Sequence, residues 1–189
     1  MRHGKTKGNL EGRYLGTTDE HLCALGIKEL HGKVYPAVEK IYVSPMNRCM
    51  ETAESIYPRL PKEIVPDLRE CDFGDFENKN YSELQGSKVY QNWIDSKGML
   101  PFPNGETPEA FRQRTTQAFE RIIEEVFHEK REKIAIVAHG GTIMSILEKA
   151  ALNQKAFYEW QLLNGQGYCL NVEETLWKEK KKIRVTGSF

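Results

Sequence analysis

The sequence predicts an α/β fold built on a mostly parallel sheet. Three observations predict it. Short β-branched and aromatic segments alternate with amphipathic helical stretches along most of the chain. The run Ile134-Ala135-Ile136-Val137-Ala138 is apolar without alternation, the pattern of a strand covered on both faces. Lys40-Ile41-Tyr42-Val43 runs straight into Ser44-Pro45, a strand handing over to a helix start. With 189 residues the chain can bury a sizeable core, and residues 1–189 are expected to form one domain.

In chain order, Arg2 to Gly16 carries four glycines and reads as loop. Thr18-Asp19-Glu20 is the expected start of a helix with Leu22, Leu25 and Leu30 as its buried stripe. Lys40–Val43 is a strand, and the helix after it, begun by Ser44 as N-cap, presents Cys49, Ala53, Ile56 and Tyr57 to the core. Ile64-Val65 is a second short strand. Pro66 to Asn80 is an ordered loop anchored by Phe73 and Phe76, and Tyr81 to Ser96 is helical. After a Pro- and Gly-containing loop, Thr107-Pro108-Glu109 opens the strongest helix, with Phe111, Ala118, Phe119, Ile122, Ile123, Val126 and Phe127 as its stripe. Ile134–Ala138 is the next strand, and His139-Gly140-Gly141-Thr142 opens the helix Ile143 to Ala151. Tyr168–Val172, Thr175–Trp177 and Lys182–Val185 read as strands, the last two as a hairpin with the Lys178-to-Lys182 charge run at its solvated turn.

Composition narrows the function classes. Basic and acidic side chains number 27 each, so the net charge is zero, which argues against a nucleic-acid binder working through bulk electrostatics. No stretch reaches the ~18 apolar residues of a membrane span, and no secretory pattern is present. The cysteines, Cys23, Cys49, Cys71 and Cys169, are scattered. That spacing argues against a zinc site or a disulfide framework and for free thiols in a cytoplasmic protein.

Three polar segments fall where a strand should give way to a loop: Arg2-His3-Gly4, Ser44-Pro45-Met46-Asn47-Arg48 and Ala138-His139-Gly140-Gly141. In a parallel sheet such ends converge, and ligands gather there. All three carry cations or potential cations. Arg48 in a first helical turn opposes the helix dipole, at a cost of up to ~1 kcal/mol that a bound anion would offset. Amides of Gly140 and Gly141 at another helix start are donors of the kind that hold phosphate.

Taken in order, Arg2-His3-Gly4-Lys5-Thr6 with Asn9, Gly16-Thr17-Thr18-Asp19 with Leu22 and Gly26, Ser44-Pro45 with Arg48 and Thr52-Ala53, Leu68-Arg69-Glu70 with Phe73-Gly74, Pro103-Asn104-Gly105-Glu106-Thr107, and Ala138-His139-Gly140-Gly141 form a series. It resembles the histidine phosphatase superfamily, phosphoglycerate mutase-like branch, from residue 2 to about residue 145. The resemblance implies a three-layer α/β/α sandwich with a mostly parallel central sheet. It also implies roles. His3 would be the nucleophile that becomes a phosphohistidine, since a neutral imidazole is competent near neutral pH. Arg2, Arg48 and His139 would hold the phosphoryl oxygens, with His139 serving best when protonated. Glu70 would be the general acid, with Asp72 and Glu77 as neighbouring carboxylates open to confusion with it. Asn9, Thr18 and Gly140 would add hydrogen bonds to the substrate. No metal and no cofactor is implied.

Departures from the pattern are Lys7-Gly8 before Asn9, where relatives often carry an aromatic, Glu77-Asn78, where Gly often follows the Glu, and the single residue before Arg2. Relatives carry several apolar residues there as a central strand, so the sequence is expected to begin inside that strand. The stretch after Glu70 and the tail are too short to shield a phosphoenzyme from water, which favours a phosphatase over a mutase. Length and the Arg-His-Gly-Lys-Thr start resemble α-ribazole 5′-phosphate phosphatases of cobalamin biosynthesis, with broad-specificity phosphatases next and cofactor-dependent mutases after them. A non-catalytic phospholigand binder has no need of the nucleophile and acid that this series retains. The expected partner is a small phosphate monoester, its cleft walled by Tyr14, Phe73, Phe76, Trp93 and Phe102; a monomer or homodimer is expected.

Overall fold

A computed structural model describes residues 1–189 and carries the α/β layering. Strands β1 (Lys40–Val43), β2 (Lys62–Ile64) and β3 (Ile134–Val137) form a parallel sheet in the order β2-β1-β3. The register is in step throughout: Val43 lies opposite Ile64 on one side and Val137 on the other. Arg2 extends this sheet as an isolated parallel bridge to Ala138, with the His3 N–H donating to Ala138 O at 3.0 Å.

Side-chain alternation along β1 separates two cores. Tyr42 faces helices α6 (Pro108–His128) and α7 (Gly140–Ala150), where Ala118, Phe119, Ile122, Ile123, Ile146 and Leu147 are buried. Ile41 and Val43 face the other way, onto Cys49 and Ala53 of α3 (Asn47–Ile56). Helix α2 (Ala24–His31) packs beside α3. Phe76, Tyr90, Phe102 and Phe111 form a third, aromatic cluster. Helix α6 starts as read, with Thr107 Oγ1 accepting the Ala110 N–H and Pro108 in the first turn.

Elsewhere the structure corrects the local reading, through local caps, a left-handed glycine and side chains spent on tertiary partners. The stretch 2–16 is not all loop: Thr6 and Asn9 form a capping box that starts the short helix α1 (Lys7–Leu10). Helix α2 begins at Ala24 under Cys23, not at Thr18, and Leu25 is exposed while Leu22 and Leu30 are buried. Ser44 does not cap α3; Met46 occupies that position and the Ser44 hydroxyl turns to His139. The expected helix 81–96 is two, α4 (Tyr81–Leu84) and α5 (Lys88–Asp95), broken at Gly86, whose φ is +87°. Thr175–Trp177 is not a strand but lies in helix α8 (Glu174–Lys180), which buries Trp177 against Phe119. The terminal hairpin therefore joins other partners: β4 (Tyr168–Asn171) pairs antiparallel with β5 (Arg184–Ser188), with an irregularity between Cys169 and Leu170. Lys181 is the left-handed cap of α8, so the charge run is a helix end and its exit. No helix is long and apolar enough to cross a membrane.

Candidate active site

The carboxyl ends of β1 and β3 and the Arg2 bridge bring the three polar segments together. His3 is 4% exposed. Its Nδ1 lies 2.7 Å from Gly4 O, a contact that only Nδ1–H can make as a hydrogen bond, so Nε2 keeps its lone pair. Burial, then the Arg48 and Arg2 charges, holds the imidazole pKa well below its ordinary 6.5. His3 is thus neutral, with an unprotonated nitrogen.

His139 follows β3 and is buried beside it, the two rings 5.2 Å apart. Arg48 Nε–H donates to His139 Nδ1 at 3.3 Å, which fixes the proton on Nε2, and Nε2–H donates to Ser44 Oγ at 2.8 Å. Burial and the nearby Arg48 charge push the His139 pKa well below 6.5, and it is the charge of a phosphate dianion that would favour the protonated form. Arg48 is fully buried. Its remaining nitrogens donate to the carbonyls of Thr18 (2.7 Å), Gly16 (2.9 Å) and Leu15 (3.2 Å).

Glu70 is also buried. Its two oxygens accept from Gly141 N–H at 2.8 Å and Cys71 N–H at 3.0 Å. Burial raises the carboxyl pKa, while those amides and the Arg48 and Arg2 charges pull against it. Nothing in the sequence marked the residue that holds this loop. Arg114, on α6, grips Glu106 through Nε (2.9 Å) and Nη2 (2.7 Å), and donates to the carbonyls of Asp67, Arg69 and Glu70. In the sequence it is one of many charges on a long helix.

Arg2 donates to Leu162 O at 2.6 Å, and its Nε is buried without a partner. A second holder from the far end of the chain is Asn164. Its Nδ2 lies 3.1 Å from His3 O and 3.1 Å from Asn9 Oδ1, while Gly165 N–H reaches Arg2 O and His3 O. Thr18 is tied instead to Glu77, through its hydroxyl at 2.7 Å and its amide.

A cavity of about 290 Å³ opens on this cluster. Arg2, His3, Asn9, Glu70 and Gly140 line one part of it; Tyr14, Phe73, Trp93, Phe102, Phe157 and Tyr158 line another. Of the expected site residues, Arg48, His139 and Thr18 do not line it. Arg48 and His139 stand directly behind His3, and Thr18 beyond Arg48. Phe76, expected in the wall, is buried in the aromatic cluster. Phe157 and Tyr158 were missed because their short 3₁₀ turn, Phe157–Trp160, has no periodic signal.

The chain matches the histidine phosphatase superfamily (branch 1) over residues 1–182. It is 30% identical over 179 residues to the adenosylcobalamin/alpha-ribazole phosphatase of Escherichia coli strain K12, covering 88% of this chain and 84% of that protein. It is 28% identical over 189 residues to the metal-independent phosphoserine phosphatase of Arabidopsis thaliana, covering 94% of this chain and 76% of that one. The crystal structure of the alpha-ribazole phosphatase from Shigella flexneri superposes with a TM-score of 0.80 at 25% identity, over 99% of this chain and 93% of that one.

Proposed function

The chain belongs to the histidine phosphatase superfamily, branch 1, and is a phosphatase; from that premise we propose that it hydrolyses small phosphate monoesters through a phosphohistidine on His3. The observation that carries the reading is the neutral His3, with Nε2 unprotonated, at a cavity shared with Arg2 and Glu70. His3 Nε2 attacks phosphorus as the P–O bond to the leaving alcohol breaks. Glu70 gives its proton to the departing oxygen, and burial favours that protonated form. Water, deprotonated by the Glu70 carboxylate, then attacks the phosphohistidine, releasing inorganic phosphate and restoring both residues. Arg2 bears the phosphoryl charge at the cavity and Arg48 and His139 bear it from behind His3, with Asn9 and the Gly140 amide as further donors.

The substrate we propose is α-ribazole 5′-phosphate, cleaved to α-ribazole in cobalamin biosynthesis. Support comes from the name of the Escherichia coli relative and from the cavity's aromatic wall, which offers ring faces to a heterocyclic base. A broader small-molecule phosphatase is the second reading, favoured by the phosphoserine phosphatase relative. A panel run in EDTA separates them: α-ribazole 5′-phosphate, phosphoserine, fructose 2,6-bisphosphate, and 3-phosphoglycerate with and without a bisphosphorylated primer. Preference for the first compound supports the specific reading and flat rates support the broad one. Primer-dependent isomerisation without hydrolysis, or a need for added metal, would overturn both.

A further inference from the structure

We propose that Glu77 is a positioning residue that sets Arg48 and His139 for phosphate through the loop 15–18. This rests on the reading of Arg48 as a phosphate ligand. Glu77 follows the 3₁₀ turn Gly74–Phe76. Its carboxylate accepts from the amides of Gly16 (3.0 Å), Thr17 (2.8 Å) and Thr18 (3.3 Å), the Thr18 hydroxyl (2.7 Å) and the Phe73 amide (3.1 Å). Successive amides turned to one anion make a nest, here filled from within the protein.

On the other side of the same loop, the carbonyls of Leu15, Gly16 and Thr18 take the Arg48 guanidinium. The loop thus lies between an anion and a cation, with its N–H groups toward Glu77 and its C=O groups toward Arg48. Its freedom to slide is small: a Cβ on Gly16 would collide with Cys71 O and the Glu77 carboxylate. From Arg48 the chain of contacts continues through Nε–H to His139 Nδ1, and from His139 Nε2–H to Ser44. Glu77 touches neither the cavity nor the expected reacting atoms. Its effect reaches them because the carbonyls it orients hold Arg48, and Arg48 selects the His139 tautomer.

The sequence showed Glu77 as a carboxylate near Glu70 and as a pattern position followed by Asn78 in place of Gly, with no role attached. The structure separates the two. Glu70 is held by two amides at the cavity, whereas Glu77 is consumed by five donors behind it.

The test uses the full chain in EDTA with Glu77→Gln, Glu77→Asp and Thr18→Val. Calorimetry with inorganic phosphate reads affinity, imidazole ¹⁵N–¹H spectra read the His139 tautomer, and melting reads the fold. Glu77→Gln puts an amide N–H against amide donors. It is expected to weaken phosphate binding about tenfold or more, the scale of one hydrogen bond to a charged group. It should also turn the single Nε2–H tautomer of His139 into an averaged signal. Glu77→Asp should recover part of the affinity, and Thr18→Val, which removes one bond, should lose a smaller factor. A lowered melting point with phosphate affinity and His139 signals unchanged means a purely structural glutamate and overturns the proposal, as does no change in any readout. If Glu77→Gln does not fold, Thr18→Val decides by the same two readouts. An inactive wild-type chain whose variants respond as described refutes the hydrolytic reading alone; an active chain whose variants do not respond refutes the role of Glu77 alone.

Discussion

Burial acts on His3 and Glu70 in one direction, toward the uncharged form, and the two outcomes are complementary. Neutral His3 has a nucleophilic nitrogen, and burial lifts the Glu70 carboxyl toward the form that has a proton to give. If Glu70 is the acid, its worth depends on the leaving group. Glu70→Ala should lower kcat on alkyl phosphates by about 10²–10⁴, the usual contribution of general acid catalysis, and lower the rate on 4-nitrophenyl phosphate far less. Parallel losses on both substrates would remove Glu70 from that role. Arg114 is the supporting residue. Arg114→Ala strips the carbonyls of Asp67 and Glu70 of their donor, leaves Arg69 O to the Thr142 hydroxyl alone, and leaves Glu106 unpaired. It should reproduce the alkyl-selective loss of Glu70→Ala in weaker form, read by the same pair of substrates.

Among the elements, α6 holds the Glu70 loop through Arg114 and α7 begins at the second histidine, and they differ in how their starts are made. Thr107 caps α6 with its own side chain, so Thr107→Ala should cost about 1 kcal/mol in denaturant unfolding with kcat little changed. Helix α7 has no side-chain cap at His139. Its Gly141 amide is taken by Glu70, and a Cβ on Gly141 would strike that carboxylate. Gly141→Ala should therefore damage turnover more than stability, the reverse of Thr107→Ala; equal stability losses from both would contradict this. These starts also show why some elements could be read from residues and others not. The α6 start uses Thr and Pro in local roles, and the β3 run is apolar end to end, so both stand out along the chain. Ser44 and Thr18 have the chemistry of caps but serve His139 and Glu77, partners remote in sequence. Helix α8 is short and its burial of Trp177 depends on Phe119, which no local pattern reports. Asn164 and Arg114 lay hidden for the same reason: each acts on backbone carbonyls far along the chain.

Across the molecule, the site joins residues from both ends of the chain, and its protonation is coupled to folding. His3 and His139 titrate well below 6.5 when folded and near 6.5 when unfolded. Above that value they add no pH dependence. As pH falls below it, the unfolded chain binds protons that the folded one refuses, and stability drops by up to about 1.4 kcal/mol per pH unit for each. Glu70, raised above 4.5, has the opposite sign: the stability from its folded-state proton is lost as pH rises through its folded pKa. Urea unfolding should show stability falling from pH 7 to pH 5.5, less steeply in His139→Asn, with an unchanged slope ruling out a buried neutral His139. The motif series, spread over most of the chain, exposed the family and the polar cluster. What it could not convey was layering within the site, with Arg48 and His139 behind His3 and Glu77 behind Arg48. A phosphohistidine on His3 is tested most directly by a rapid alkaline quench of the chain with 4-nitrophenyl phosphate in EDTA, followed by peptide mass analysis. One phosphoryl group is expected on the peptide carrying His3, enriched in Glu70→Gln and missing in His3→Ala. Turnover with no phosphorylated His3, or with the label on another residue, would contradict it.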